Sequence, residues 1–254
     1  MITDYEIEEL SAKFKIDGFT IIREYLQLLF LRYLYSLKDA ERLYFKGGTA
    51  IHFFYGSFRF SEDLDFTSAL PPKKLPGLLA QTMKLLQSEV EGLELKDIQK
   101  KKNSLTGSIK YSKGKAHPLN IRLDFSFREK PITKIVAPIE TPFPIAAYPL
   151  VIHLSAEEIL AEKIRAVLSR GKGRDVFDIW FLLSKGISVK RNYIEKKMRW
   201  YKMTFSGEKL IKAIESFKEK ELRDDLGKFL PKDYRPFIRD LKGEVLKKLK
   251  AVLE

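Results

Sequence analysis

Apolar residues recur at helical spacing near the start of the chain and predict one or two helices within residues 4–38. A short strand over residues 43–45, a glycine turn at 47–48 and a short helix over 49–55 are predicted next. Residues 60–66 alternate between apolar and polar positions, which is the pattern of a strand. The first quarter of the chain is therefore predicted to mix helices with strands.

The middle of the chain predicts a helix over residues 76–91 and then three strands, over 93–101, 105–111 and 120–127. Residues 131–150 contain five prolines and few helix-forming residues. Because proline interrupts both helices and sheet ladders, we interpret this stretch as an extended connection that forms the domain boundary.

Ser155 is expected to begin a helix that extends to about residue 169, and a second helix is predicted over residues 175–184. The remainder of the chain predicts three or four basic amphipathic helices. The pattern as a whole indicates an α+β fold, with a mixed β-sheet and flanking helices in residues 1–150. An all-helical domain is expected to follow in residues 151–254.

The composition narrows the class of protein. The 254 residues include no cysteine and three histidines, and 44% of them are hydrophobic, so the chain can bury a core but cannot form disulfides. A cysteine-ligated zinc site and a thiol nucleophile are excluded, and the widely spaced His52, His117 and His153 disfavour a histidine-rich metal site. No signal peptide or membrane-spanning segment is visible, so we expect a soluble cytoplasmic protein.

The formal net charge of +13 results from 47 lysines and arginines against 34 aspartates and glutamates. Residues 186–254 hold 19 basic and 11 acidic residues, and residues 96–115 contain seven lysines and one aspartate. This distribution suits a polyanionic partner such as RNA or DNA. A lysine- and glutamate-rich surface of the kind found in hyperthermophiles is the alternative interpretation, and the two are compatible.

The segment Asp63-Leu64-Asp65 places two carboxylates on one face of a strand, because successive side chains point to opposite faces. Two such carboxylates repel each other unless a cation lies between them. Asp124 belongs to another alternating strand, and it would add a third carboxylate if the two strands are neighbours. Ligands that are all oxygen favour Mg²⁺, with two ions expected and Mn²⁺ as an alternative.

The segment Lys46-Gly47-Gly48-Thr49 lies between a predicted strand and a predicted short helix. Glycines in that position allow backbone N–H groups to approach a phosphate at the start of the helix. An isolated pair of glycines is weak support. The pair becomes informative because Asp63 and Asp65 follow on a strand shortly afterwards.

Residues 46–66, KGGTAIHFFYGSFRFSEDLDF, resemble the signature of the AbiEii/AbiGii toxin family of nucleotidyltransferases. The family pattern is approximately K-G-G-T-A-L followed by R-x-S-x-D-L-D-F, within the DNA polymerase β-like superfamily. Residues 157–165 (EEILAEKIR) and 170–179 (RGKGRDVFDI) resemble two later motifs of the family, in the same order. The resemblance extends from about residue 40 to 185 and implies a nucleotidyltransferase-like sheet.

The resemblance also implies roles for single residues. Asp63 and Asp65 would be catalytic and bind the metal, and Asp124 matches the third acidic position. Lys163 would reach the triphosphate from the helical domain, and Asp175 would join it in the cleft as a catalytic residue. The implied nucleotide-binding residues are Lys46, Gly47, Gly48, Thr49, Ser61 and Lys163.

What the resemblance implies for function is transfer of a nucleotidyl group from an NTP to an acceptor hydroxyl. The acceptor we favour is RNA, in particular tRNA, and a cognate antitoxin is the expected protein partner. A small molecule such as an aminoglycoside, or a protein side chain, is an alternative acceptor. A further alternative is a non-catalytic relative that binds RNA or protein. The sequence indicates neither the nucleotide nor the oligomeric state.

Overall fold

A computed structural model describes residues 1–112, 118–147 and 149–253, so that His117 lies outside the described residues. The chain divides into two compact units. The sheet unit comprises Met1–Phe54 and Phe60–Leu154, and the helical unit comprises Tyr55–Arg59 and Ser155–Glu254. No helix among the described residues combines the length and apolar character that a membrane crossing needs.

The described part of the sheet unit contains four helices and seven strands, which agrees with the predicted mixed sheet with flanking helices. The helices are α1 (Asp4–Phe14), α2 (Gly18–Tyr35), α3 (Gly47–Tyr55), whose last residue is grouped with the helical unit, and α4 (Leu75–Glu89). The strands are β1 (Leu43–Lys46), β2 (Asp63–Ser68), β3 (Leu93–Lys101), β4 (Ser104–Tyr111), β5 (Leu119–Ser126), β6 (Ile135–Pro138) and β7 (Leu150–His153). A 3₁₀ turn over Lys38–Arg42 precedes β1.

The strands form one sheet in the order β3-β4-β5-β2-β1-β7-β6. The pairs β2–β5 and β1–β7 are parallel, and the other neighbours are antiparallel. The carboxylate-bearing strands β2 and β5 are therefore direct neighbours near the middle of the sheet.

The proline-rich segment is more than the extended connection that the sequence predicts, because it contains the strand β6 and leads into β7. The prolines made β6 difficult to predict, because this strand has only four residues and ends at Pro138. A proline is tolerated there because β6 is an edge strand, with one side unpaired in the sheet.

The strand β2 begins at Asp63, three residues later than the alternation predicts. Phe60 packs its ring against those of Phe14 and His52, with centroid distances of 6.0 and 4.9 Å. The carbonyl of Ser61 accepts a hydrogen bond of 3.1 Å from the Gln27 side chain. Side-chain packing and this bond hold the segment before β2 outside the sheet ladder.

One face of the sheet is apolar. The rings of Phe45, Phe66 and Phe125 follow one another across β1, β2 and β5, with centroid distances of 5.4 and 4.8 Å between neighbours. All three side chains are fully buried. The strand β5 alternates strictly between buried and more exposed residues, so its other face is left to polar side chains.

The helical unit contains α5 (Ala156–Arg170), α6 (Gly173–Ser184), α7 (Arg191–Arg199), α8 (Gly207–Glu215), α9 (Glu219–Leu226) and α10 (Ile238–Leu253), with a 3₁₀ turn over Lys232–Phe237. This arrangement confirms the predicted all-helical C-terminal region. Ser155 caps α5 by accepting the Glu158 N–H, and Gly171, at φ 58°, ends that helix. The helix α6 begins two residues before the predicted Asp175.

Truncation of the central ring in the apolar row tests its contribution to stability. We expect Phe66→Ala to lower the free energy of unfolding by about 3–5 kcal/mol, because it removes a buried ring and leaves a cavity. Urea denaturation of the whole chain measures this loss. Leu85→Ala, at a side chain that is 37% exposed, is the control and should change stability by less than about 0.5 kcal/mol. Equal losses would show that the row does not anchor the sheet.

Candidate active site

The polar face of the sheet brings three aspartates together. Asp63 and Asp65 lie on the same face of β2, two residues apart. Asp65 is directly opposite Asp124 in the parallel ladder with β5. Neighbouring strands are about 4.8 Å apart, so these carboxylates form one acidic row. The strands β2 and β5 are therefore neighbours, which is the condition for Asp124 to add a third carboxylate.

The electrostatics of the row favour a bound cation. Burial and the charge of Asp65 raise the pKa of Asp124, while Arg122 and Lys46 partly oppose that rise. A divalent cation bound between two such carboxylates would reduce the electrostatic repulsion between them. Their oxygens are the donors that Mg²⁺ prefers. Among the described residues, no group of three acidic or histidine side chains is close enough together to hold a metal ion.

The glycine turn lies against the acidic row. Gly47 has a φ of +80°, and a Cβ built on it would lie 2.2 Å from Oδ2 of Asp65. Both its backbone conformation and its contact with Asp65 therefore require glycine. Since α3 begins at Gly47, the turn brings the N-terminus of a helix beside a carboxylate. The neighbouring Gly48 is buried within the first turn of the helix.

The residues that flank this turn hold it in place. Lys46 lies opposite Asp65 in the β1–β2 ladder, and its ammonium is 4.0 Å from the buried carboxylate of Glu129. The Thr49 hydroxyl donates a hydrogen bond to the carbonyl of Asp63, which ties α3 to the start of β2. Ser61 is half-buried in the segment that precedes β2. Five of the residues predicted to bind nucleotide thus lie around the acidic row.

Charged side chains of α2 extend the site in a way that the sequence analysis missed. Arg23 is buried, and its guanidinium is 3.4 Å from Glu62, next in sequence to Asp63. Burial lowers the pKa of Arg23, and nearby carboxylates, including that of Asp63, oppose this shift. Glu24 contacts His52 of α3 at 3.0 Å. The signal in the sequence was an Arg-Glu pair inside a helix that is mostly apolar.

The helical unit holds the other two predicted site residues in a buried network of charges. The ammonium of Lys163 on α5 is 3.0 Å from Asp175 and 2.7 Å from Asp178, both on α6. Arg170 bonds Asp175 through two nitrogens, at 2.8 and 2.9 Å. Arg59 bonds Asp178 in the same bidentate way, with both contacts at 2.9 Å. Every carboxylate oxygen of this pair therefore has a cationic partner.

This network shifts the ionisation of its members. Burial opposes the charge on Asp175, but Lys163 and Arg170 outweigh it and hold the pKa of Asp175 well below its ordinary value. Burial also opposes the charge on Lys163, and the two aspartates raise its pKa despite that opposition. Both groups are therefore charged at neutral pH.

The sequence profile of the family described as "Nucleotidyl transferase AbiEii toxin, Type IV TA system" matches residues 29–254. This chain belongs to that family. Its members are described as nucleotidyltransferase toxins, and the acidic row beside the glycine turn is the candidate site for such chemistry. The family membership confirms the resemblance seen in the motifs of residues 46–66 and 157–179.

Two solved structures share the fold. JHP933 from Helicobacter pylori aligns with a TM-score of 0.56 and 21% identity over 94% of this chain and 95% of its own. MenT4, a nucleotidyltransferase toxin from Mycobacterium tuberculosis, aligns with a TM-score of 0.64 and 16% identity. That alignment covers 93% of this chain and 85% of MenT4. A comparison with curated protein sequences gave no match.

Two glycines with similar backbone conformations distinguish the effect of backbone strain from the effect of contact with Asp65. Gly47→Ala places a methyl group against Asp65, whereas Gly56, at φ +71°, has open space around it. We expect both alanine variants to lose about 1–2 kcal/mol of stability through backbone strain. Only Gly47→Ala should also lower the rate of nucleotidyl transfer, by at least about 10-fold, because the added methyl group displaces Asp65. Equal activities at equal stability would contradict the role of this contact.

The buried network predicts a pH-dependent stability. Because the folded pKa of Asp175 is lowered, its ionised form contributes stability above its unfolded pKa of about 3.9 and loses it below. We expect Asp175→Asn to cost about 3 kcal/mol or more at pH 7. The difference from the unsubstituted chain should shrink as the pH falls below about 4.

Urea denaturation at pH 7, 5 and 3.5 measures this dependence. Asp225→Asn is the control, since Asp225 pairs with Arg174 at 3.1 Å but its side chain is 26% exposed. We expect it to cost about 1 kcal/mol or less. A loss from Asp175→Asn that does not change with pH would show that packing, and not charge, is what Asp175 contributes.

Proposed function

We propose that this chain transfers a nucleoside monophosphate from an NTP to a hydroxyl of RNA, with tRNA as the favoured acceptor, in a reaction that depends on Mg²⁺. The observation that supports it best is the row of Asp63, Asp65 and Asp124 beside the Gly47–Gly48 turn. Carboxylates next to an N–H-rich helix start suit a triphosphate with its divalent ions. Membership of a nucleotidyltransferase toxin family supports the same chemistry.

The reaction is an in-line displacement at the α-phosphorus. The acceptor oxygen forms the new P–O bond, the bond between the α-phosphorus and its bridging oxygen breaks, and pyrophosphate leaves. Asp63, Asp65 and Asp124 would hold Mg²⁺, which neutralises the triphosphate and promotes ionisation of the acceptor hydroxyl. A carboxylate at the site would accept the proton that the acceptor hydroxyl loses.

The turn at Gly47 and Gly48 is proposed to bind the phosphates through its backbone N–H groups, with Lys46 adding positive charge. Thr49 is proposed to support this turn through its bond to the carbonyl of Asp63. Ser61 is proposed to add a hydroxyl contact to the nucleotide from the segment before β2.

Charge supports RNA as the acceptor. The formal net charge of the chain is +13, and a cationic surface attracts a polyanion over a cationic small molecule. A cognate antitoxin is part of the proposal, because the family is described as the toxin of a type IV toxin–antitoxin system. A cytoplasmic location is proposed as well, since NTP and tRNA are found together there.

Lys163 and Asp175 are proposed to take part in the reaction from the domain of residues 151–254, as the family motifs imply. Their buried ion pairs support a purely structural role as the competing account. The substitution Lys163→Arg distinguishes the two accounts. It keeps the positive charge that the ion pairs need, but it changes the length and shape of the side chain that would reach the triphosphate.

The deciding experiment follows label from each of the four α-³²P NTPs onto total tRNA in the presence of Mg²⁺. We expect one or more nucleotides to label the RNA, and EDTA to abolish the labelling. The double variant Asp63→Ala/Asp65→Ala should reduce the transfer by at least about 100-fold, since it removes two proposed metal ligands. Label on protein, or no label with any NTP, would contradict the proposed acceptor.

The matched control is Asp224→Ala/Asp240→Ala, which removes two exposed carboxylates and should leave the transfer unchanged. Lys163→Met and Lys163→Arg are measured in the same assay together with their melting temperatures. A direct role predicts a higher KM for the NTP in both variants at temperatures where they remain folded. If both variants show the KM and the activity of the unsubstituted chain at those temperatures, Lys163 has a structural role only.

A further inference from the structure

The acidic row continues across the sheet into a basic surface. In the ladder register, Asp63 lies opposite Arg122 of β5, Arg122 opposite Ser108 of β4, and Ser108 opposite Lys96 of β3. Side chains directly opposite each other in a ladder share one face. A single polar face therefore extends from the aspartates to the outer edge of the sheet.

An irregularity in β3 determines which of its lysines lie on this face. The register shifts between Lys96 and Gln99, where Asp97 has a φ of +57°. Without the shift, Lys96 and Lys101 would point to opposite faces. With it, Lys101 lies opposite Ser104, which lies opposite Ser126 of β5 on the polar face. We refer to Lys96, Lys101, Lys110 and Arg122 as the basic sheet face.

Protection of a sheet edge does not account for these cations. Lysines on an edge strand prevent unwanted pairing, and that purpose would explain Lys96 and Lys101 of β3. Lys110 and Arg122, however, lie on the inner strands β4 and β5. The Arg122 side chain is 57% exposed in the middle of the sheet. A surface of this kind suits an anionic partner that lies across several strands.

Acidic side chains pair with three of these four cations, and the partner of Arg122 is Asp124, at 3.3 Å. Glu94 pairs with Lys96, and Asp97 pairs with Lys110 at 2.8 Å. Both carboxylates are 58% exposed, and exposed ion pairs of this kind contribute about 0–1 kcal/mol. Phosphate groups can therefore replace these carboxylates as partners of the two lysines.

We infer that the basic sheet face binds the acceptor RNA strand next to the acidic row, an inference that rests on the proposed function. The two strand spacings from β5 to β3 amount to about 10 Å, the rise of about three stacked nucleotides. No aromatic side chain lies on this face of β3, β4 or β5 among the described residues. The contacts are therefore to phosphates, and they accept any RNA sequence.

The test is the salt dependence of binding to a fluorescein-labelled oligouridylate of 12 nucleotides. The variant Lys96→Gln/Lys101→Gln/Lys110→Gln removes three cations from the face and leaves Arg122 and the aspartates intact. We expect it to weaken binding by about 10- to 100-fold near 100 mM salt. The slope of log K against log salt should become shallower by about 2, since each phosphate contact on a single strand contributes about 0.7.

The control Lys73→Gln/Lys74→Gln/Lys84→Gln removes the same charge from exposed lysines of the sheet unit, within α4 or just before it. We expect it to retain at least half of the binding affinity. Equal weakening by both triple variants would overturn the inference, because net charge alone would then account for binding. Unchanged binding in the first variant would overturn it too. Melting temperatures verify that both variants are folded.

The labelling assay with tRNA separates this inference from the proposed function. If the basic-face variant binds RNA weakly while the unsubstituted chain labels no RNA, the surface stands and the proposed acceptor fails. If the unsubstituted chain labels tRNA and the variant does so with an unchanged KM for tRNA, the proposed function stands and the surface is wrong.

Discussion

The register between β2 and β5 determines what the sheet unit can do. In that parallel ladder Asp65 faces Asp124, and one residue further along the two strands Phe66 faces Phe125. The stacked rings hold the strands together on the apolar face, and burial of that face prevents the ladder from slipping. A shift of β5 by one residue would move Phe125 to the polar face and Asp124 into the apolar core. The hydrophobic core thus fixes the position of the acidic row.

The helical unit contains buried ion pairs in addition to its packed aromatic and aliphatic side chains. Lys163 is buried between Asp175 and Asp178, and Lys197 on α7 is fully buried with Glu158 and Glu162, each at 2.7 Å. Buried ion pairs add little stability compared with well-packed apolar residues, but breaking one leaves an unpaired charge at high cost. They therefore restrict how α5 packs against α6 and α7. The family motifs of this unit coincide with residues of this kind.

Much of the fold was predictable because it depends on local patterns. The alternation around Asp63 and Asp124 is enough to assign the faces of β2 and β5, and proline or glycine marks several boundaries. Which strands pair was not predictable, because β2 and β5 are separated by about fifty residues of sequence. The strands β6 and β7 were missed since they are four residues long and flanked by prolines. Arg23 and Lys197 looked like ordinary surface or helix residues because their partners lie on other elements.

The chain order of the strands has a consequence for biosynthesis. Asp63 and Asp65 leave the ribosome well before β5, and β1 completes its pairing only when β7 has emerged and Phe45 meets His153. Contacts between such distant segments form late, since the loop between them must close first. A nascent or prematurely terminated chain that ends before residue 119 therefore has two of the three carboxylates. In this member of a toxin family, the acidic row is therefore complete only after β5 has been synthesised.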